Sequence, residues 1–359
     1  MNKTVLCIIF GGASSEYEIS LRSSASVIRR VDTDKFDLLT LSILRDGRQF
    51  LYTGEVDKIE DGSFATDTQN LIPAVISPCP AHHGLALFNK AEGTFKIQNV
   101  DVFFPVVHGE NCEDGNLQGL LKLSGVPYIG SDVRGSAVSM DKSVTKALLE
   151  KTGIPMAKWY LFRREKCIEC SIAECEKEIP YPIFVKPCGT GSSVGVSRAD
   201  NREELVAALE NAFKYDSKVL AEETIVGSEV EVAVMDVLNN GKRELFVSLP
   251  GELVSNAEFY DYDTKYKNDT AQYYIPARLS TEQMDKVRSY AETVFRTLDC
   301  RGLSRVDFFS TANGFVFNEI NTLPGFTSIS MYPKLMENMG ISYTDLITKL
   351  VSYALEEQN

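Results

Sequence analysis

No part of this chain restricts the outcome more than residues 304–333, SRVDFFSTANGFVFNEINTLPGFTSISMYP. Two runs of strand composition meet at Asn313-Gly314, a hairpin turn signal. Glu319 and Asn321 alternate with Ile320 and so share one face of the second strand. The turn decides where Asp307 falls. A two-residue turn at Asn313-Gly314 puts Asp307 opposite Ile320, on the other face, whereas a three- or five-residue loop centred on Asn313 puts it opposite Glu319. Asp, Glu and Asn oxygens are hard ligands suited to Mg²⁺, which commonly shares its shell with substrate phosphates. A metal-binding hairpin therefore predicts an odd-length turn. Arg305, two residues before Asp307, lies on the same face and can stabilise negative charge developing in a transition state. Such a set would be costly as core, so the hairpin reads as a site.

Four further motifs supply complementary chemistry. In IFVKPCGTGSSVGV, residues 183–196, Lys186 ends a strand just before a loop containing Gly189, Gly191, Ser192, Ser193 and Gly195. That loop can gather backbone N–H groups around a phosphate, with the lysine as a fixed charge; a merely flexible turn is the alternative. It is not a Walker loop, because the lysine precedes the glycines. In LAEETIVGSEVEV, residues 220–232, Glu222 and Glu229 bracket a strand end and could serve the ribose and adenine of an adenosine. In FGGASSEYEIS, residues 10–20, a strand ends in Gly11-Gly12 and a helix starts near Ser15 and Glu18. The turn resembles a dinucleotide-binding one, but a GxGxxG is absent and Glu16 sits where a pyrophosphate would lie. Glu16 suits a ligand ammonium, or else only complements the helix dipole. Finally, VVHGENCEDGNLQG, residues 106–119, gathers His108, Glu110, Glu113 and Asp114 in one loop after a buried strand. It reads as a ligand-binding loop at the carboxyl end of a sheet, or as a solvated acidic connector.

A chain of 359 residues accommodates two or three domains. Residues 1–128 alternate apolar runs with helical patterns, the rhythm of an α/β domain with a parallel sheet, and 45–99 look like surface hairpins and loops. Residues 129–225 form a second segment, in which Asp200 and Glu203 suggest a capping box for a helix over 201–213. Residues 226–359 form a third, with strands around a polar loop, a helix over 281–299 and a terminal amphipathic helix expected to dock as a cap. The net charge of −13 argues against nucleic acid or an anionic membrane as partner. The opening apolar run is too short for a signal peptide, and no run approaches the ~20 apolar residues of a membrane span. A cytoplasmic protein is expected. Of the eight cysteines only Cys167, Cys170 and Cys175 cluster. A CxxC can bind zinc or do redox chemistry, but no second CxxC follows and no histidine lies near.

Taken together, FGGASSEYEISL, HGxxxEDGxxQG, SMDK, KPxxxGSSVG, YDYDTKY, SRVDFF and NEINTLPGFTS resemble the ATP-grasp superfamily, and within it the D-alanine–D-alanine ligases, essentially end to end. The resemblance implies a three-domain α/β fold: a Rossmann-like N-terminal parallel sheet, then two domains clamping ATP. It implies that Lys142 and Lys186 hold ATP phosphates, that Glu222 and Glu229 meet the ribose and adenine above Phe309, and that Asp307, Glu319 and Asn321 ligate two Mg²⁺ ions, with Mn²⁺ as a substitute. Glu16, linked to Ser192 and Tyr266, would anchor the ammonium of the first D-alanine beside His108. Arg305 and the N–H of Gly325 would form the oxyanion site, and Lys265 and Ser330 would bind the second amino acid's carboxylate, under a lid over 251–275. A homodimer is implied too. Relatives that make D-Ala–D-lactate lack the lid tyrosine, and those that make D-Ala–D-Ser often carry an Arg after the SxS segment. Tyr266 and Met331 here favour D-alanine at the second site, although Cys112 and Ile329 depart from common family residues. Rival readings are another ATP-grasp ligase, a nucleotide-binding regulator without turnover, and a Rossmann oxidoreductase, for which the glycine fingerprint is missing.

Overall fold

In the computed structural model, which describes residues 3–239, 241–254 and 272–357, Leu6 to Phe10 are fully buried. Burial on both faces is expected of a strand inside a parallel sheet. This strand, β1 (Thr4–Gly11), pairs in parallel with β2 (Phe36–Ile43) and with β7 (Val102–Pro105). Past β2 the sheet turns antiparallel through β3 (Gln49–Tyr52), β4 (Leu71–Ile76), β5 (Gly84–Asn89) and β6 (Thr94–Asn99), giving the order 6-5-4-3-2-1-7. The expected hairpins are there, but they extend the sheet, and only three of its strands are parallel. The short connections from β2 to β3, from β4 to β5 and from β5 to β6 permit nothing else, since a parallel crossover needs a dozen or more residues. Helices α1 (Tyr17–Ile28), α2 (Val56–Glu60) and α3 (Asn116–Ser124) belong to this part.

The helices α4 (Val133–Met140) and α5 (Lys142–Leu149) lead into a second, antiparallel sheet. Its strands β8 (Trp159–Arg163), β9 (Ile183–Pro187), β10 (Ser197–Ala199) and β11 (Lys218–Glu223) take the order 10-9-11-8. Helices α6 (Ile168–Glu178) and α7 (Arg202–Ala212) cover it through Ile172, Cys175, Leu205 and Leu209, packed with Phe162, Val185 and Val219. The cap of α7 differs from the expected Asp200–Glu203 pair. Asn201 is the N-cap and accepts from the Glu204 N–H, while Glu204 accepts from the backbone N–H of Asp200. The cap falls one residue later than expected because both Asp200 and Asn201 are competent caps, and Glu204 reaches past the N-cap to Asp200.

The third sheet has β12 (Ser228–Asn239) at its centre, with β13 (Lys242–Val247), β14 (Gly251–Val254), β15 (Gln272–Tyr274), β16 (Leu303–Thr311) and β17 (Gly314–Asn321). Helix α8 (Thr281–Thr297) packs Val287, Ala291, Val294 and Phe295 on one face, against Val230, Val232 and Phe308. Helices α9 (Met331–Asn338) and α10 (Tyr343–Glu357) occupy another core that also contains Leu6, Ile8 and Phe10 of β1 and Met235 of β12. The final helix is thus wedged between the first and third sheets rather than laid over one end. Among the described residues no helix is long and apolar enough to cross a membrane.

Candidate active site

The hairpin of β16 and β17 turns through Ala312 and Asn313, with Thr311 opposite Gly314. The Thr311 hydroxyl donates to the Gly314 carbonyl at 2.8 Å and accepts from the Asn313 N–H at 3.1 Å. This two-residue turn corrects the odd-length loop expected for a metal-binding hairpin. The facing of the side chains is nevertheless the one the metal reading requires. The register shifts between Asp307 and Phe308, so that Phe308 faces Phe317 but Asp307 faces Glu319 and Arg305 faces Asn321. A β-bulge at Asn318 adds the odd residue that the turn does not. Across the other edge of β16, Asp307 faces Glu231 and Phe309 faces Glu229.

Asp307 is fully buried and receives two charge-assisted hydrogen bonds from Arg305, at 2.8 and 2.7 Å, and one from the Asn321 amide at 3.0 Å. Arg305 also meets Glu231 at 3.0 Å. Burial would lower the guanidinium's proton affinity, but Asp307 and Glu231 outweigh it and hold Arg305 firmly charged. Carboxylate oxygens of Glu229, Glu231 and Asp307 lie within 4.8 Å of one another. With Glu319 opposite Asp307, this face gathers four carboxylates around one guanidinium, a set of hard oxygens that fits a divalent cation such as Mg²⁺.

Two cavities adjoin this face. The larger, about 710 Å³, opens between the second and third sheets and is lined by Lys186, Glu222, Glu229, Phe309 and the apolar Val226 and Leu253, among others. The smaller, about 80 Å³, lies toward the carboxyl ends of β1 and β7 and is lined by Glu16, His108, Glu113, Arg305, Asn321 and Gly325, among others. Lys142, Thr190, Gly191, Ser192 and Glu319 line both. The common wall thus carries a lysine, the glycine-serine loop and a metal-type acid. Lys142 opens α5, capped by Asp141, and donates to the Thr190 carbonyl at 2.6 Å.

Inside the larger cavity Glu222 is buried with both oxygens paired, one to Lys146 at 2.5 Å and the other to Lys186 at 2.6 Å. Burial alone would raise this carboxyl, but Lys186 and Lys146 together outweigh it and draw it down to about 2. Lys146 was not among the residues singled out in the sequence. One turn after Lys142 on an amphipathic helix, it is indistinguishable in sequence from a solvated lysine, yet it is 2% exposed. Glu231 was missed too, although its alternation with Glu229 in EVEV gives both one face.

At the smaller cavity the Ser192 hydroxyl donates to the Glu16 carboxylate. Glu16 is hemmed in by two glycines: a Cβ at Gly109 or Gly191 would stand 2.6 or 2.7 Å from its Oε2. Ser192 and Ser193 both have φ in the left-handed region, at 49° and 57°, where non-glycine residues sit only when held by their surroundings. Behind Glu16, Glu113 accepts from the N–H groups of Gly109 at 2.8 Å and Leu323 at 3.0 Å. Burial, reinforced by Glu16, nonetheless pushes its carboxyl up to about 8.

His108 is buried, and burial pulls its imidazole down to about 4, so it is neutral at pH 7. Its Nδ1 lies 2.9 Å from the Leu323 carbonyl, which can only accept, so Nδ1 carries the proton. Nε2 then accepts from the Ser23 hydroxyl at 3.2 Å, and Ser23 in turn accepts from the Phe326 N–H at 3.2 Å. This relay fastens the loop that carries Gly325 to the first sheet. Ser330 holds the same loop, accepting from the Thr327 N–H at 3.0 Å. Met331 is buried, packs in the core near Gly251, and is absent from the described lining of both cavities. Lys265 and Tyr266 lie outside the described residues, as does most of the expected lid over 251–275.

Two family models match the chain: D-ala D-ala ligase N-terminus over residues 5–131 and D-ala D-ala ligase C-terminus over residues 148–352. Among curated proteins, the D-alanine–D-alanine ligase of Acetivibrio thermocellus is 44% identical, covering 100% of this chain and 97% of its own. That of Caldicellulosiruptor bescii is 42% identical, covering 99% and 96%. Among solved structures, the VanG D-Ala:D-Ser ligase from Enterococcus faecalis superposes with a TM-score of 0.89 at 39% identity, covering 98% of this chain and 100% of its own.

Proposed function

Since the chain belongs to the D-alanine–D-alanine ligase family, we propose that it joins two D-alanines into D-alanyl-D-alanine with ATP, through a D-alanyl phosphate, for peptidoglycan synthesis. The observation that carries this reading is the pair of cavities with a common wall. A nucleotide-sized space and an amino-acid-sized one meet at Lys142, Ser192 and Glu319, where a γ-phosphate and a carboxylate would have to meet.

In this mechanism the adenine rests on Phe309 and Glu229 takes the adenosine's polar groups. Glu222, with both oxygens paired, orients Lys186 toward the phosphates from one side as Lys142 approaches from the other. Asp307, Glu319 and Asn321 would hold Mg²⁺, which neutralises phosphate charge when bound. Glu16, set by Ser192, takes the ammonium of the first D-alanine and leaves its carboxylate directed at the common wall. Transfer of the γ-phosphoryl group to that carboxylate depends on such positioning and charge neutralisation. The amine of the second D-alanine then attacks the acyl carbon, and Arg305 with the Gly325 N–H stabilises the oxyanion of the tetrahedral intermediate. Ser330 and Lys265 bind the carboxylate of the second amino acid, Tyr266 joins Glu16 and Ser192 at the first, and a lid over 251–275 keeps water from the acyl phosphate. Domains over 1–128, 129–225 and 226–359, a homodimeric assembly and a cytoplasmic setting complete the reading.

The second reading is a D-alanine–D-serine ligase, favoured by the 39% identity to the VanG enzyme. Against it stand Tyr266 and Met331, whose presence speaks for D-alanine at the second site. The test is ATP-dependent phosphate release with D-alanine alone and then with D-serine or D-lactate, with products identified by mass. D-Ala–D-Ala as the main product supports the first reading. Mainly D-Ala–D-Ser replaces it with the second, and no phosphate release with any D-amino acid defeats both.

A further inference from the structure

The cysteine cluster set aside by the ligase chemistry lies at the start of α6. Cys167 is the N-cap of that helix, and its sulfur accepts the backbone N–H of Cys170 at 3.4 Å. Both thiols are exposed, with their sulfurs 2.7 Å apart. The third member, Cys175, points inward with Ile172 and is buried among Phe162 and Leu205. A metal centre does not fit two sulfurs with no further ligand. Among the described residues the one cluster of metal-type side chains is the acidic one around Asp307. The remaining chemistry for two touching, solvent-facing thiols is thiol–disulfide exchange.

We propose that Cys167 and Cys170 form a reversible dithiol–disulfide pair on the outer face of the second sheet, oxidised by low-molecular-weight disulfides of the glutathione type. Cys167 is the attacking sulfur. The Cys170 thiol and the helix N–H groups stabilise its thiolate and hold it below the usual thiol range. Its thiolate attacks one sulfur of the disulfide, forming a mixed disulfide and expelling one thiolate. Cys170 gives up its proton and attacks the Cys167 sulfur, closing the Cys167–Cys170 bond and expelling the second thiolate. The protein thiols lose two electrons, the small disulfide gains them, and the two protons end on the two released thiols.

Closure leaves the helix anchored, because its fixings lie further along. Tyr160 donates to Glu174 at 2.7 Å, and Arg202 and Tyr181 hold Glu176 at 2.8 Å each. No residue of α6 lines either described cavity, so the pair is separate from the ligase site.

The test uses the full chain in glutathione buffers of increasing oxidation, quenched in acid, alkylated under denaturing conditions and mapped by mass. Cys79, the other exposed thiol, is the internal standard for a lone cysteine. At the ratio where Cys79 carries a glutathione adduct, the segment holding Cys167 and Cys170 should lose both alkyl labels with no adduct, while Cys175 stays labelled. Cys170→Ser should keep a persistent adduct on Cys167, and both Cys167→Ser and Cys170→Ser should leave ligase turnover unchanged. A stable adduct on Cys167 in the unsubstituted protein overturns the proposal. So do two thiols still fully labelled when Cys79 is fully modified.

Discussion

Lys146→Met tests the two-lysine clasp on Glu222. The carboxyl falls from an ordinary 4.5 to about 2, which at ~1.36 kcal/mol per pKa unit leaves the anion stabilised by roughly 3 kcal/mol after burial has been overcome. Lys146 and Lys186 approach at 2.5 and 2.6 Å and together also offset burial, the largest single influence, so each supplies more than half of that net. Removing Lys146 should therefore destabilise the fold by roughly 2 kcal/mol or more at neutral pH. The full ~3–5 kcal/mol for stranding a buried charge is not reached, because Lys186 stays. The sign with pH follows from the depressed carboxyl. Its contribution is complete above 4.5 and disappears as pH falls from 4.5 toward 2. Urea unfolding at pH 7 should separate the variant from the parent by that amount, the gap should narrow below pH 4, and Lys146→Arg should restore most of it. Lys186, now the sole partner of Glu222, should be drawn back from phosphate, raising KM for ATP several-fold with little change in KM for D-alanine. Equal unfolding midpoints at pH 7 together with an unchanged KM for ATP would refute the clasp.

Other outcomes follow from the same geometry. Glu16→Gln removes a charge-assisted anchor worth ~1.5–3 kcal/mol, so kcat/KM for D-alanine should fall roughly 10- to 100-fold while KM for ATP holds. Gly191→Ala, whose Cβ would stand 2.7 Å from the Glu16 Oε2, should raise KM for the first D-alanine about tenfold by dislodging that carboxylate, with steady-state kinetics as the check. His108, down at about 4 when folded and at 6.5 otherwise, resists protonation in the fold. Stability should drop by up to ~1.36 kcal/mol per pH unit as pH falls from 6.5, and His108→Phe should flatten that slope in unfolding titrations. Chelation of divalent cations should abolish phosphate release and Mn²⁺ should restore it. Asp307→Asn should lower turnover at least ~100-fold at any Mg²⁺ concentration, measured by the same release assay.

The site face was legible because it breaks the rule for sheet interiors. Arg305, Asp307, Glu319 and Asn321 alternate with apolar residues in a way that a core would not tolerate. How β17 comes to face Asp307 was not legible, since Asn318 carries no mark that distinguishes a bulge from a regular strand residue. Lys146 was hidden for a different reason: burial of a lysine on one face of α5 is decided by the second sheet closing over it, not by helix periodicity. Likewise the run from 45 to 99 showed its hairpins through turn residues, but not that they would lengthen the first sheet. Local signals specify turns and faces. Partners distant in sequence specify register and burial.

The position of α10 has a consequence for how the chain is made. Its Leu346, Ile347, Leu350 and Val351 share one core with Leu6, Ile8 and Phe10 of β1, and Thr344 bonds the Arg30 carbonyl across 314 residues of sequence. While the ribosome is still producing the middle of the chain, the apolar side of the first sheet therefore has only part of its native cover, from residues such as Tyr17, Leu21, Ile59 and Phe64. Contacts this distant form slowly, and the surface left open in the meantime is the kind that sticks to neighbouring chains. The second sheet, with a core of its own, can fold during translation, while the first must wait for the last helix to emerge.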